Sequence, residues 1–123
     1  MISEKLLEIL KKDGVVSIAT LGEDGLHMVN TWNSYVSISP EERFLIPAGY
    51  MHKTEENIKI NPEVAITTAS SKVQGLHGAG AGFLIKGKAE FVTSGPDYDV
   101  LKEKFSWLRA TLAVTIDSAV QTW

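Results

Sequence analysis

The sequence predicts a mainly β protein, an antiparallel barrel of about six strands with short helices at its ends. Segments rich in β-branched and aromatic residues recur along the chain, and the early ones are joined by hairpin-type turns. The helical segments do not alternate regularly with the strands, as the crossover helices of a doubly wound sheet would. Because the chain has 123 residues and shows no repeat or linker, we expect one domain over residues 1–123.

The first half of the chain has one helical pattern followed by strand patterns. Leucines recur on one face of the helical pattern, and Gly14 provides its stop. Pro47 has no backbone N–H, so we expect it at the edge or the end of its strand. The expected elements are a helix over 3–12, strands over 15–20, 26–38 and 43–47, and a hairpin loop at 22–25.

The second half of the chain mixes helices and strands around a glycine-rich segment. Four glycines within residues 75–82 indicate a mobile loop that could close on a ligand. Gly87 marks a kink in the strand that follows, and Pro96 suits the first turn of a helix. The expected elements are helices over 51–60 and 96–105 and strands over 64–68, 83–93 and 112–117.

Charge and composition exclude several classes of function. The net charge is −3 and the twelve Lys and Arg residues are scattered, so no basic surface suited to nucleic acid is expected. No apolar run approaches the length of a membrane span and no leader pattern opens the chain, so we expect a cytoplasmic protein. Without cysteine, redox chemistry would need a bound cofactor.

The first candidate site is the segment 49–54, where a strand ends at Gly49 and a helix begins. A helix N-terminus offers unpaired N–H groups and partial positive charge. The ammonium of Lys53 and the hydroxyl of Thr54 would complete a phosphate site there. The alternative is that Thr54 only caps the helix, with Lys53 free in solvent.

The second candidate site is the segment 30–35, which is too polar for a core strand and too aromatic for an exposed edge. Side chains alternate along a strand, so Asn30 and Trp32 face one way and Thr31 and Tyr35 the other. Amides, hydroxyls and aromatic rings together suit a flat heteroaromatic ligand. The alternative is a strand packed under a helix, with its amides bonded locally.

Other possible motifs are weak. The three histidines, His27, His52 and His77, lack metal-site spacing and no carboxylate cluster joins them. The segment 75–82 lacks the Gly-Lys-Ser/Thr ending of a phosphate loop, and no Gly-x-Ser-x-Gly elbow occurs. We therefore expect no side chain to act as a nucleophile or as a metal ligand.

Several segments together carry a family resemblance that covers nearly the whole chain. The most specific are Val29-Asn30-Thr31-Trp32-Asn33-Ser34-Tyr35 and Met51-His52-Lys53-Thr54, supported by the turns at 14–16 and 22–25, by 82–85 and by the ending Gln121-Thr122. On these motifs the sequence resembles the small FMN-binding proteins of anaerobic bacteria, within the pyridoxamine-phosphate-oxidase-like split-barrel group.

The resemblance implies a six-stranded split barrel that forms a two-fold homodimer, with noncovalent FMN near the interface. The phosphate would then lie at Lys53 and Thr54, and the last residue of each chain would reach the flavin of the other subunit. The residues that the resemblance places at the cofactor are Asn30, Thr31, Trp32, Tyr35, Pro47, Ala48, Gly49, Lys53, Thr54, Trp107 and Trp123.

Two departures qualify the resemblance. This chain ends in Trp123, whereas the relatives end in a smaller aliphatic residue, which changes the cover over the exposed edge of the flavin. The residues by which true pyridoxamine-phosphate oxidases hold their substrate are not evident, so that activity does not carry over.

We therefore expect a flavoprotein for electron transfer or flavin-dependent reduction, with a redox partner protein or NAD(P)H as electron source. The alternatives are a non-enzymatic FMN store or sensor and, with less support, a haem-binding barrel that uses one of the histidines.

Overall fold

Seven antiparallel strands form one sheet in the computed structural model, which describes residues 1–123. Their order across the sheet is β2-β1-β5-β6-β7-β4-β3. The strands are β1 (Val15–Gly22), β2 (Gly25–Trp32), β3 (Ser37–Ile38), β4 (Phe44–Ala48), β5 (Glu63–Gln74), β6 (Ala79–Val92) and β7 (Ala110–Gln121). The mainly β antiparallel architecture is confirmed, with seven strands in place of the six expected.

Three helices accompany the sheet: α1 (Glu4–Leu10), α2 (His52–Ile60) and α3 (Pro96–Lys104). The Ser3 hydroxyl accepts a hydrogen bond from the N–H of Leu6 and so caps α1, while Pro96 begins α3 as expected. None of these helices has the length and apolar character needed to cross a membrane.

The main core lies between α1 and the inward faces of the strands. It contains 18 buried residues, among them Leu6 and Ile9 from α1 and Phe44 and Ile46 from β4. Burying one such side chain stabilises the fold by about 1.5–3 kcal/mol. The core therefore fixes the sheet, and the sheet in turn fixes the segments that form the site.

The long strand expected over 26–38 is wrong, because β2 ends at Trp32 and a 3₁₀ turn, Asn33–Tyr35, follows it. Asn33 is fully buried, and its backbone N–H donates to the carbonyl of Gly14 at 3.0 Å. Its side-chain oxygen also accepts a hydrogen bond from the Thr68 hydroxyl at 2.6 Å. The backbone and side-chain bonds of Asn33 together turn the chain out of β2, so the remainder becomes the separate strand β3. The short strand β3 is therefore the additional strand that brings the total to seven rather than six.

The mobile loop expected over 75–82 is also wrong. Only a tight turn separates β5 from β6, closed by a bond from the N–H of Gly75 to the carbonyl of Gly78 at 2.7 Å. Gly80 and Gly82 belong to β6, where Gly82 pairs with Ala69 of β5. A Cβ on Gly82 would lie 3.2 Å from the hydroxyl of Thr122, so this glycine allows close packing rather than mobility.

Two other predictions about special residues are confirmed. The register of β6 against β7 shifts between Lys86 and Gly87, and a Cβ on Gly87 would lie 2.2 Å from the carbonyl oxygen of Thr115. Pro47 pairs with Thr111 of β7 on one side, whereas β3 reaches only the start of β4 on the other. The missing N–H of Pro47 therefore lies on an uncovered edge.

Candidate functional site

A cleft of about 480 Å³ lies between two uncovered edges of the sheet. One side is the end of β2, the first strand in the sheet order, and the other is the end of β4 beyond β3. Since the edges do not pair with each other here, the barrel is open at this point. The cleft is lined by Asn30, Thr31, Trp32, Tyr35, Pro47, Gly49, Tyr50, Met51 and Trp107.

Aromatic rings form much of the wall of the cleft. Trp32 and Trp107 are each about half exposed, at 53% and 49%. The ring centroid of Trp107 lies 6.1 Å from that of Tyr35 and 5.2 Å from that of Phe105. A Cβ on Gly49 would lie 3.0 Å from the Trp107 ring, so the glycine lets this ring approach the backbone. Such walls suit a flat aromatic ligand.

Polar groups on β2 border the same cleft. The Asn30 carboxamide oxygen accepts a hydrogen bond from the Ser17 hydroxyl at 3.0 Å, which leaves the Asn30 amide nitrogen without a protein partner. Thr31 is largely buried at the rim. An amide donor and a hydroxyl are therefore available to the polar edge of a ligand.

The cleft continues to the N-terminus of α2. Met51 is the residue before the helix and has a left-handed backbone, with φ 66°, and no side chain caps the helix. The first helical hydrogen bond runs from the N–H of Glu55 to the carbonyl of Met51. The N–H groups of His52, Lys53 and Thr54 come before that bond, so they have no acceptor within the helix. The alternative in which Thr54 caps the helix is wrong, because Thr54 lies inside the first turn.

Thr54 and Lys53 differ in their surroundings. Thr54 is fully buried, and its hydroxyl oxygen has no hydrogen-bond partner. The Lys53 ammonium lies 2.7 Å from the carboxylate of Asp24 in the β1–β2 turn, so it is not free in solvent. This hydrogen bond raises the pKa of Lys53 and lowers the pKa of Asp24. An ammonium, an unpaired hydroxyl and helix N–H groups are a donor set that fits a phosphate dianion.

The structure brings most of the sequence-predicted site residues together. Lys53 and Thr54 do not line the cleft, but they lie two and three residues after the cleft residue Met51, in the first turn of α2. Ala48 is fully buried and does not line the cleft either. Trp123 lies elsewhere in this chain. The predicted residues that line the cleft are Asn30, Thr31, Trp32, Tyr35, Pro47, Gly49 and Trp107.

Trp123 borders a second cleft of about 440 Å³, with Gly80, Gly82 and Thr122 among its neighbours. Its ring centroid lies 5.0 Å from that of His77 in the β5–β6 turn. Val15, which also lines this second cleft, pairs with Trp32 of the first cleft across β1 and β2. The two clefts therefore lie close to the same end of the β1–β2 hairpin.

The sequence signals only some of the residues at the site. Tyr50 and Met51 line the cleft and belong to the segment 49–54, which the sequence predicts as a candidate site. Arg109, in contrast, carries no signal in the sequence. Arg109 donates to the carboxylate of Glu55 at 2.8 Å and to the carbonyl of Tyr50 at 2.7 Å. Because Arg109 lies 54 residues from Glu55, no local pattern could reveal this contact.

An exposed apolar face adjoins the cleft. It lies on the outer side of the β1–β2 hairpin, where Leu21 pairs with Leu26 and Val15 pairs with Trp32. Large apolar side chains exposed in such a group mark an interaction surface. We call this surface the hairpin face; its exposed apolar residues are Val15, Leu21, Leu26, Met28 and Trp32.

Comparison of the sequence with known proteins identifies a family. Residues 2–120 match the family model described as pyridoxamine 5'-phosphate oxidase. The chain is 48% identical over 122 residues, 99% of each chain, to a protein of Nitratidesulfovibrio vulgaris (strain Miyazaki F) named FMN-binding protein.

Solved structures share the fold. HupZ of Group A Streptococcus has a TM-score of 0.80 at 16% identity, covering 99% of this chain and 94% of its own. A putative pyridoxamine 5'-phosphate oxidase of Listeria innocua has a TM-score of 0.72 at 16% identity, covering 97% and 96%. These likenesses confirm the split-barrel fold. The family match over residues 2–120 shows that the chain belongs to the pyridoxamine 5'-phosphate oxidase family.

Proposed function

We propose that the chain binds FMN in the cleft between β2 and β4, with the phosphate at the N-terminus of α2. The observation that carries this proposal is the continuity of an aromatic cleft with a helix start that holds Lys53 and the unpaired Thr54 hydroxyl. The 48% identity to a protein named FMN-binding protein supports it independently.

The residues divide into two groups in this proposal. Trp32, Trp107 and Tyr35 cover the flat ring system and exclude water from it, while Asn30 and Thr31 offer partners to its polar edge. Lys53 and the helix N–H groups hold the phosphate. No histidine lines the cleft, so nothing there favours a haem ligand over FMN.

The activity that this site supports best is electron transfer or flavin-dependent reduction. FMN supplies that redox chemistry when bound, and the chain binds it, orients it and limits its contact with water. A redox partner protein or NAD(P)H would deliver the electrons. Anaerobic addition of NAD(P)H or a reduced carrier protein, followed by flavin absorbance, tests this. Flavin that stays oxidised with every donor would favour an FMN store or sensor.

The hairpin face supports a homodimer that shares this site. Its apolar side chains are exposed in the single chain, and Trp32 belongs both to that face and to the cleft. Burying the face against a second copy would remove it from water and would also narrow the cleft. Dimer formation and FMN affinity are therefore linked in this proposal.

Met28→Lys is expected to convert the dimer into a monomer and to weaken FMN binding, because it places a charge in the middle of the hairpin face. Sedimentation velocity gives the mass, and FMN titration gives the affinity. Val100→Lys on the exposed side of α3 is the control, which keeps both properties. A dimer of unchanged affinity in Met28→Lys would exclude the hairpin face as the interface.

Thr54→Val is expected to raise the stability of the FMN-free chain and to lower its affinity for FMN. Removing a buried hydroxyl that has no partner stabilises the FMN-free chain by about 1 kcal/mol, whereas losing a phosphate donor weakens FMN binding about tenfold. Urea unfolding and fluorescence titration measure the two effects. Thr54→Ser keeps the hydroxyl and should keep the affinity. If Thr54→Val binds FMN as tightly as the unmodified chain does, Thr54 has no role at the phosphate.

A further inference from the structure

We propose that Arg109 is a positioning residue for the phosphate of FMN: it neutralises Glu55 in the first turn of α2 and holds the turn at 49–51 in place. The inference rests on the proposed function, and it assigns to Arg109 a role in selecting FMN over riboflavin. Arg109 itself does not line the cleft.

Arg109 joins three consecutive parts of the site through separate hydrogen bonds. Its backbone N–H donates to the carbonyl of Ala48 at the end of β4, at 2.9 Å. Its Nη2 donates to the carbonyl of Tyr50 in the turn at 2.7 Å, and its Nη1 donates to the Glu55 carboxylate at 2.8 Å. One residue, directly before β7, is therefore bonded to the strand end, the turn and the helix start.

The surroundings of the guanidinium reduce solvent screening. The side chains of Arg109 and Glu55 are 31% and 20% exposed, and Arg109 Nε is buried without a partner. The guanidinium carbon lies 5.9 Å from the centre of the Phe91 ring. Charges in such a partly buried site act on each other more strongly than charges on the open surface.

Glu55 would oppose phosphate binding if it were not neutralised. Its carboxylate belongs to the first turn of α2, the same helix end that would receive the phosphate dianion. Two anions at one helix end compete for the same N–H groups and repel each other. The only other cation that forms an ion pair with Glu55 is Lys59, at 4.0 Å and largely exposed, so Arg109 supplies most of the compensation.

The turn at 49–51 needs support from outside itself. Met51 has a left-handed backbone, which costs a residue with a side chain about 1 kcal/mol or more. The Tyr50 side chain is 83% exposed and anchors nothing, whereas its carbonyl is held by Arg109. Since Gly49, Tyr50 and Met51 all line the cleft, the same bond sets the shape of the cleft and the direction of the α2 N-terminus.

The test compares four variants by their affinities for FMN and for riboflavin, which lacks the phosphate. Arg109→Met keeps the length of the side chain but leaves Glu55 uncompensated, so FMN binding is expected to weaken about fivefold and riboflavin binding less. Adding Glu55→Gln to Arg109→Met should restore the ratio of FMN affinity to riboflavin affinity, because the opposing charge is gone. Glu55→Gln alone should keep or raise that ratio.

Arg43→Met is the matched control for general damage. Arg43 also pairs with a carboxylate, that of Asp97 on α3, and is also partly buried, but neither residue lines the cleft. Its loss is expected to lower the free energy of unfolding of the FMN-free chain while leaving the ratio of the two affinities unchanged. If Arg109→Met does not fold, Arg109→Gln replaces it, since glutamine also lacks the positive charge but keeps an N–H donor for the carbonyl of Tyr50.

The outcomes separate this inference from the proposed function. An unmodified chain that binds neither FMN nor riboflavin would overturn the proposed function. An unmodified chain that binds FMN while Arg109→Met keeps its FMN-to-riboflavin ratio would overturn only the role of Arg109. A ratio that falls in Arg109→Met and does not recover when Glu55→Gln is added would overturn the neutralisation argument.

Discussion

Lys53→Met is expected to weaken FMN binding about thirtyfold while changing riboflavin binding little, since charge-assisted hydrogen bonds to phosphate are among the strongest that a site can offer. Lys53 is the second residue of α2, so its positive charge would act on a phosphate together with the partial positive charge of the helix N-terminus. Riboflavin has no phosphate, so it should not sense the loss.

Fluorescence titration with both ligands measures this difference. Lys72→Met, at an exposed position of β5 that does not line the cleft, is the control and should bind FMN normally. The bond between Lys53 and Asp24 is exposed and contributes little to folding, so the FMN-free variant should unfold like the unmodified chain. If Lys53→Met lowers the affinities for FMN and riboflavin equally, Lys53 does not bind the phosphate.

Asn33→Ala is expected to lower the free energy of unfolding by about 4 kcal/mol, the range reached when a buried hydrogen-bond network is broken. The Asn33 amide nitrogen donates to the carbonyls of Ile9 and Lys12, each at 3.2 Å, and to that of Ala69 at 3.4 Å. Its amide oxygen accepts from the Thr68 hydroxyl at 2.6 Å. Alanine would remove the donor shared by these carbonyls and the acceptor of the buried Thr68 hydroxyl, and it would open a cavity.

Urea unfolding of the FMN-free chain measures the effect. Asn30→Ala is the control, because Asn30 is exposed and makes one side-chain bond, to Ser17; its loss should change stability by less than about 1 kcal/mol. Asn33 lies directly after Trp32, so Asn33→Ala should also loosen the wall of the cleft and weaken the binding of both flavins together. A stable Asn33→Ala variant would contradict the account of why β2 ends at Trp32.

Local patterns made much of the fold predictable. The hairpin at 22–25, the helix that ends before Asn61 and the kink at Gly87 depend on neighbours in the sequence. The alternation is confirmed as far as Trp32, since Thr31 is buried while Asn30 and Trp32 are exposed. The end of β2 could not be predicted, because it depends on bonds from Asn33 to residues as far away as Ala69.

The candidate site also contains residues that local sequence patterns predict and one residue that they do not. Gly49, Lys53 and Thr54 lie within six residues of one another, and this spacing is enough to predict a helix start with phosphate donors. Arg109 is found only in the folded chain, where β4 and β7 pair side by side and bring it to Tyr50 and Glu55. A pairing between distant strands leaves no periodic trace in the sequence.

The left-handed backbone of Met51 lowers the stability of the turn, while the Met51 side chain adds an apolar surface to the cleft. Glycine adopts this conformation without steric cost, so a glycine at this position would make the turn easier to form. The chain instead has a flexible thioether there, and that side chain borders the cleft. A more heat-resistant form with glycine at this position would therefore lose one of the few adaptable apolar surfaces that a bound ring could press against.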